Sequence, residues 1–201
     1  MRRFDGDTLL IATHNAGKLE EFRALLGPRG IACVSNADYD LPEPEETETT
    51  FLGNARIKAR AAVAATGLPA LADDSGIVID GLDGAPGVHT ADWAETGAGR
   101  DFRIAMTRAW TELEARNAPE PRTARFCATL VLLWPDGHEE AFEGVAEGRI
   151  VWPMRGETGH GYDPIFMPEG HDRTFGEMPA KEKNRLSHRA RALAKMAEVF
   201  A

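Results

Sequence analysis

Short apolar runs alternate with amphipathic stretches along most of this chain. Apolar runs bounded by turn residues predict buried strands, and apolar side chains at every third or fourth position predict helices. The predicted strands cover residues 8–13, 31–34, 69–73, 76–80, 123–134 and 138–148. The predicted helices cover residues 17–26, 50–66 and 102–115, and a last helix begins at Pro179. Because strands and helices alternate early and a hairpin at Pro135-Asp136-Gly137 comes late, the pattern predicts an α/β fold with a mixed, twisted β-sheet flanked by helices.

The same periodicity predicts which side chains the last two helices bury. Within residues 102–115 the apolar positions are Ile104, Met106, Trp110 and Leu113. In the final helix the predicted buried positions are Leu186, Ala190, Leu193, Ala197 and Phe200.

The size and composition of the chain predict one globular domain over residues 1–201. The net charge of −9 argues against a nucleic-acid partner, which needs a basic surface. No apolar stretch has the length of a membrane span or the character of a signal peptide, so we expect a cytoplasmic protein without membrane contact. Cys33 and Cys127 lie apart in apolar segments, which predicts free thiols rather than a disulfide or a zinc site.

Two adjacent acids, Asp73 and Asp74, close an apolar run and are followed by Ser75 and Gly76. Like charges this close oppose each other's ionisation unless a cation neutralises them, and Mg²⁺ bound together with substrate phosphates would do so. The alternative is an Asx turn between two strands, in which the acids bond nearby backbone amides. Successive strand residues point to opposite faces, so one acid should face the metal while the other is turned toward a backbone or side-chain partner.

A turn at Thr13-His14-Asn15-Ala16-Gly17-Lys18 joins the first predicted strand to the first helix. Free amides and the helix dipole at such a turn favour an anion, and Lys18 adds a positive charge. Alternatively, Asn15 is a helix cap and Lys18 is a solvated residue of the first turn.

An acidic run precedes the second helix and contains Glu43, Glu45, Glu46 and Glu48. Such a run is usually a solvated face, and acids also suit a helix N-terminus. The functional alternative is that one of these acids shares a Mg²⁺ with the Asp73-Asp74 pair.

The segment from Gly159 to Phe166 has two glycines beside an aromatic residue and an acid. Glycines allow close backbone approach to a flat ligand such as a base, and Tyr162 could stack on it. The alternative, a tight turn with Tyr162 in the core, is favoured when the segment is considered alone.

A cationic cluster follows, which is either a solvated helix face or a set of side chains that bind a polyphosphate. Its members are Lys181, Lys183, Arg185, His188, Arg189 and Arg191.

These motifs, in this order, resemble the Ham1-like family, the inosine triphosphate pyrophosphatases, from about Leu9 to Leu193. The matching motifs are Thr13-x-Asn15-x-x-Lys18, Glu45-Glu46-Thr47, Ala72-Asp73-Asp74-Ser75-Gly76, Gly84-Ala85-Pro86-Gly87, Gly161-Tyr162-Asp163-Pro164-Ile165-Phe166 and Ser187-His188-Arg189. The resemblance implies a two-lobed α/β fold with a central cleft, a homodimer, a requirement for Mg²⁺, and cleavage of a purine nucleoside triphosphate between its α and β phosphates. The implied substrates are ITP, dITP and XTP, whose removal keeps deaminated purines out of nucleic acids.

The resemblance also implies roles for individual residues. Asp74 matches the acid that both binds metal and activates water, Asp73 is a second catalytic acid, and Glu46 is a metal ligand. The implied substrate contacts are Thr13, His14, Asn15, Ala16, Gly17, Lys18, Ser75, His160, Gly161, Tyr162, Asp163, Lys183, His188 and Arg189. Position 160 departs from the family, since many members carry Phe there and this chain has His.

The expected mechanism has Mg²⁺ offset the charge of the triphosphate while Asp74 directs a water at the α phosphorus. Lys18 and Lys183 neutralise phosphates, and His188, Arg189 and amides near Asp163 select a 6-oxo purine. Two rival functions remain open. The Maf-like pyrophosphatases place Ser and Arg where this chain has Asn15 and Lys18, and a non-catalytic nucleotide sensor would not need the acids.

Overall fold

The computed structural model describes residues 1–14 and 16–200, and the side chains of all of these except residues 16, 17 and 21. The helices are α1 (Ala16–Leu26), α2 (Phe51–Thr66), α3 (Phe102–Ala115), α4 (Ala180–Leu186) and α5 (His188–Met196). The strands are β1 (Thr8–Ile11), β2 (Ala32–Ser35), β3 (Ala70–Ile79), β4 (Glu95–Thr96), β5 (Gly99–Arg100), β6 (Thr123–Leu133), β7 (Glu139–Ile150) and β8 (Phe166–Pro168). Short 3₁₀ turns connect several of these elements.

The prediction of a mixed sheet is confirmed, and its six strands lie in the order β2-β1-β3-β6-β7-β8. Strand β1 pairs in parallel with β2 and β3, and β7 pairs antiparallel with β8. Strands β4 and β5 form a separate small antiparallel pair. The predicted hairpin turn is also confirmed, because the Trp134 amide donates to the His138 carbonyl at 2.9 Å and the Gly137 amide donates to the Trp134 carbonyl at 3.0 Å.

The described chain forms two compact units. The first unit contains Met1–Asp74, Thr129–Glu143 and Ala192–Ala201, and the second contains Ser75–Ala128 and Gly144–Arg191. Each unit has its own apolar core. In the first, alanines of α2 pack on Leu10, Ala12, Ala70 and Ala72. In the second, α3 packs on aromatic and aliphatic side chains that include Ile77, Phe126, Tyr162, Phe166 and Phe175.

Strand β3 corrects the prediction of two strands separated by an Asp-Asp turn. It runs without interruption from Ala70 to Ile79, so Asp73 and Asp74 lie inside a strand and are buried. Pairing with β1 at Ala70 and Leu71, and with β6 on the other side, holds the strand extended. Pairing in the interior of a sheet therefore overrides the local turn preference of Asp, Ser and Gly.

The predicted last helix is in fact two helices that meet at Ser187. Ser187 has an extended backbone with φ of −67° and ψ of 151°, and its hydroxyl accepts the Ala190 amide at 3.1 Å. A serine at a helix start ends one helix and caps the next. The break changes the buried stripe, because Ala192, Met196 and Val199 are buried while four of the five predicted positions are only half-buried.

Helix α3 begins and ends as predicted, and three of its four predicted apolar positions contact the core: Met106 and Leu113 are buried and Trp110 is partly buried. Ile104 is the exception, since it is 51% exposed. Ala105 and Ala109, which the pattern did not single out, complete the buried face.

Candidate active site

Alternation along β3 sends its two acids to different helices. Ala70 and Ala72 pack against α2, and Asp74 continues that face of the strand. Its carboxylate approaches the Lys58 ammonium of α2, with Oδ1 at 3.7 Å from Nζ. Asp73 points the other way, and its Oδ2 accepts from Lys18 of α1 at 2.6 Å. The prediction that the two acids point to opposite faces of the strand is therefore confirmed.

Lys58 is a member of this cluster that the sequence analysis missed. Its ammonium lies 2.9 Å from a Glu46 carboxylate oxygen, and its side chain is only 11% exposed. It therefore joins the acidic segment before α2 to Asp74 on β3. A signal was present, because Lys58 is three residues after Ala55 and four before Ala62 on the buried face of the helix. A charge on such a face requires a buried partner.

The electrostatics of the cluster keep Lys58 charged. Burial lowers the pKa of its ammonium, but the carboxylates of Asp74, Asp73 and Glu46 raise it by more, so the pKa lies above its ordinary value of 10.5. One lysine thus supplies a fixed positive charge to two carboxylates that come from different elements.

Glu46 and Asp74 fit a divalent cation because both carboxylates already converge on a single positive charge, the Lys58 ammonium. Within residues 1–14 and 16–200, no three His, Cys, Asp or Glu side chains cluster as a complete metal cage. Mg²⁺ commonly takes one or two protein carboxylates and completes its shell with water and ligand phosphates. The two acids therefore suit a metal that binds together with a phosphate-bearing ligand.

The predicted phosphate turn is described in part. The Thr13 amide donates to the Ile11 carbonyl at 2.8 Å, and His14 is exposed, with Nε2 bonded to the Leu41 carbonyl at 2.9 Å. Asn15 lies outside the described residues, as do the side chains of residues 16 and 17. Lys18 is the member of this turn that the structure brings to the acids of β3.

A second group of predicted residues lies in the second unit around Asp163. The buried Asp163 Oδ2 accepts from the His160 amide at 2.7 Å and from the Lys183 ammonium. Gly159 is required beside it, because its φ is +82° and a Cβ there would lie 2.1 Å from the same oxygen. This loop borders a hollow of about 310 Å³ that is also lined by Met106 and Met154.

Tyr162 belongs to the core, as the alternative interpretation had it. The residue is fully buried, its ring packs edge-on against Phe102, and its hydroxyl donates to the Thr90 carbonyl at 3.2 Å. Burial also raises the pKa of its phenol above the ordinary value of 10.0. The expectation that its ring stacks on a base is therefore wrong for this structure, whereas His160 next in the loop is exposed.

The remaining predicted residues are half-buried or exposed. Ser75 is half-buried on β3, and Arg189 is half-buried at the start of α5. The His188 ring stacks on Phe126 with centroids 5.0 Å apart and planes 14° apart. Lys181 and Arg185 are exposed, as expected of a solvated helix face.

The chain is similar to one well-defined group of proteins. The sequence model described as the Ham1 family matches residues 9–199. A dITP/XTP pyrophosphatase from Ruegeria pomeroyi is 70% identical over 194 residues, which cover 96% of this chain and 95% of the relative. A protein of the same name from Agrobacterium fabrum is 56% identical and is matched over 98% of both chains.

Solved structures agree with these sequence relatives. A HAM1 protein from Coxiella burnetii superposes with a TM-score of 0.90 at 38% identity, covering 96% of this chain and 97% of that one. A nucleoside-triphosphatase, also described as a dITP/XTP pyrophosphatase, from Mycobacterium abscessus gives a TM-score of 0.82 at 39% identity. It covers 94% of this chain and 98% of that one.

Proposed function

Because the chain belongs to the Ham1 family, we propose that it hydrolyses the deaminated purine nucleoside triphosphates ITP, dITP and XTP to the monophosphate and pyrophosphate. The names of its relatives and the chemistry of the acid and lysine cluster support the same reaction. The observation that carries the proposal is the shared ion pairing of Lys58 with Glu46 and Asp74, next to the Lys18–Asp73 pair.

Asp74 is the acid that we assign to the attacking water. Asp74 shares Lys58 with Glu46, at the place where the two carboxylates would hold a divalent cation. A water at that place would be oriented or deprotonated by Asp74. The water oxygen then bonds to the α phosphorus, the link to the bridging oxygen breaks, and pyrophosphate leaves.

Lys18 and Lys58 offset the negative charge that a triphosphate brings to these acids. Glu46 and Asp74 would hold Mg²⁺, which when bound supplies positive charge to the phosphate oxygens. Both lysines are already paired with acids, so they are ordered before a ligand binds, and little reorganisation is needed at the moment of reaction.

We assign base recognition to the second unit, where Asp163, His188 and Arg189 offer polar groups for a 6-oxo purine. Lys183 is paired with Asp163 as Lys18 is with Asp73, so its ammonium is likewise held in place to neutralise a phosphate. A site built on hydrogen bonds rejects a mismatched group strongly because buried polar atoms are then left without partners.

The decisive experiment is a hydrolysis panel of ITP, dITP, XTP, ATP, GTP and dUTP with and without Mg²⁺. We expect release of pyrophosphate and a monophosphate from the deaminated purines, and loss of activity in EDTA. Preference for modified pyrimidine triphosphates would favour a Maf-like enzyme. Binding of ITP without any turnover would favour a sensor.

Asp74→Asn gives the matching test of the catalytic assignment. We expect turnover of ITP to fall by about 10³-fold or more, because the amide cannot take a proton and offers the metal less charge. Circular dichroism should show an unchanged fold. The exposed Asp172 provides the control, since Asp172→Asn should retain activity. Near-normal pyrophosphate release by Asp74→Asn would refute the assignment.

We further propose that the protein acts in the cytoplasm on the free nucleotide pool, and that it does so as a homodimer. No helix within the described residues is long and apolar enough to cross a membrane. The half-exposed Ile104 and the partly exposed Trp152 of the second unit offer apolar surface that a second copy could cover.

A further inference from the structure

We propose that Asn54 is a positioning residue that fixes the acidic segment before α2 so that Glu46 reaches Lys58 and Asp74. This inference rests on the function proposed above, since Glu46 matters only if its carboxylate takes part in the reaction. Asn54 itself bonds the backbone of the segment, and its effect on the reaction would come through Glu46. The segment that it holds has no regular secondary structure between Leu41 and Glu48.

Asn54 is placed to hold the segment by its backbone. The residue is 2% exposed, and its side-chain Oδ1 accepts the Glu48 amide at 2.9 Å. A buried amide side chain that bonds a loop backbone fixes the path of that loop, because breaking the bond leaves a polar atom unsatisfied. The position of Glu48 is thereby set relative to the first turn of α2.

Glu46 is the other fixed point of the segment. Its carboxylate meets the Lys58 ammonium at 2.9 Å, and Lys58 lies four residues after Asn54 on the same face of α2. One helix face therefore holds the segment twice within a single turn, by a backbone amide at Glu48 and by a carboxylate at Glu46.

Gly53 provides a second, independent sign that the segment is docked closely. A Cβ at Gly53 would lie 2.5 Å from the Glu48 Cβ and 2.7 Å from its Cγ. The φ of Gly53 is not in the left-handed region, so backbone strain does not require glycine here. Glycine is required because Glu48 approaches so closely. Gly53→Ala should therefore push Glu48 outward even though Ala is the better helix former.

The experiment compares four variants, Asn54→Ala, Gly53→Ala, Asn54→Asp and Thr50→Ala. Thr50→Ala is the matched control, because Thr50 caps the same helix by accepting the Gly53 amide at 3.0 Å but does not bond Glu48. We expect kcat for ITP to fall about 10–100-fold in Asn54→Ala and Gly53→Ala, since small misplacements of a reacting group have effects of this size. The KM for ITP and the preference for ITP over ATP should change by less than about threefold, because the base is recognised elsewhere.

Rescue and amide exchange distinguish positioning from lost stability. Asn54→Asp keeps an oxygen acceptor at the same place; burying its charge should lower the free energy of unfolding, yet most of kcat should return. Hydrogen exchange at the Glu48 amide should quicken in Asn54→Ala and stay unchanged in Thr50→Ala.

Equal loss of kcat in Asn54→Ala and Thr50→Ala, or unchanged exchange at Glu48 in Asn54→Ala, would overturn the inference. Absence of turnover in the unmodified protein would instead defeat the proposed function, while the exchange measurement would still decide whether Asn54 holds the segment.

Discussion

Asp73 and Asp74 are only 5% and 8% exposed, and at that depth an uncompensated carboxylate is costly. Each acid approaches a lysine from a different helix, so the strand can bury both charges side by side. The same pairs keep Lys18 and Lys58 in place for a phosphate-bearing ligand. At the scale of single residues, the lysines that would bind phosphates therefore also offset the cost of burying the two carboxylates.

Lys58→Met tests this compensation, because it keeps the aliphatic side chain but removes the charge shared by Glu46 and Asp74. We expect the free energy of unfolding to fall by about 1.5–3 kcal/mol, the range for a lost hydrogen bond to a charged group. Urea unfolding measures the change. Lys181→Met is the matched control because Lys181 is exposed, and equal losses in the two variants would contradict the role given to Lys58.

The ends of the helices show how single residues set the bounds of an element. Helix α2 begins after the Thr50 cap and ends at Gly67, whose φ is +69° and whose amide donates to the Val63 carbonyl at 2.8 Å. Asp101 caps α3 in the same way by accepting the Arg103 amide. The predicted bounds of α2 and α3 therefore agree closely with the structure, because caps are local signals.

Gly67→Ala should destabilise the protein by about 1 kcal/mol, since a Cβ is strained in the left-handed conformation. The space around Gly67 is open, so backbone strain is the one cause being tested. Gly27→Ala is the control, because Gly27 also has open space but no positive φ. Thermal unfolding should give a lower Tm for Gly67→Ala than for Gly27→Ala. Identical Tm values in the two variants would contradict this explanation of the cap.

A polar contact ties the end of β3 to β6 and should make stability depend on pH. Asp80 accepts from the Thr123 hydroxyl at 2.6 Å, and Arg125 lies 2.9 Å from its other oxygen. The Thr123 hydrogen bond lowers the pKa of Asp80 below its ordinary value of 3.8, with Arg125 adding to the effect against partial desolvation. A carboxyl with a lowered pKa stabilises the fold above its unfolded pKa and loses that contribution as the pH falls through the folded pKa.

Asp80→Asn should therefore lower the free energy of unfolding by about 0.5 kcal/mol at neutral pH, a small value because the side chain is half-exposed. The gap between the variant and the unmodified protein should close as the pH falls below 3.8, the ordinary pKa of Asp, and through the lowered pKa of Asp80. Urea unfolding at neutral and acid pH measures both. A gap that widens toward acid pH would mean that the carboxylate is not stabilised by Thr123 and Arg125.

At the scale of the whole molecule, the expected homodimer has a direct test. Light scattering during gel filtration should give twice the 21.9 kDa mass of one chain. Covering exposed apolar groups such as Ile104 would stabilise such an assembly by about 25 cal/mol for each Å² removed from water. A mass near 21.9 kDa at micromolar concentration would contradict the proposal. If the unmodified protein is a dimer and the Ile104→Glu variant has the mass of a monomer, Ile104 lies in the interface.

The predicted base-binding residues differ in burial, although they are close together in the chain. His160 and Tyr162 are separated only by Gly161, yet the first is exposed and the second is fully buried. Which of them faces solvent depends on Phe102 and Thr90, which come from a different part of the second unit. The segment considered alone favoured a buried Tyr162, but it did not identify these partners.

The sequence by itself determined most of the strands and helices, the hairpin, the family and most of the residues gathered near the acids, because apolar periodicity and motifs depend on near neighbours in the chain. Only the tertiary structure decided that Asp73 and Asp74 lie within one strand, that Ser187 divides the last helix, and that Lys58 joins Glu46 to Asp74. These features depend on contacts between distant segments, such as the Lys18–Asp73 pair, whose partners are 55 positions apart. A buried charge must find its partner in space, and the chain order does not say where that partner lies.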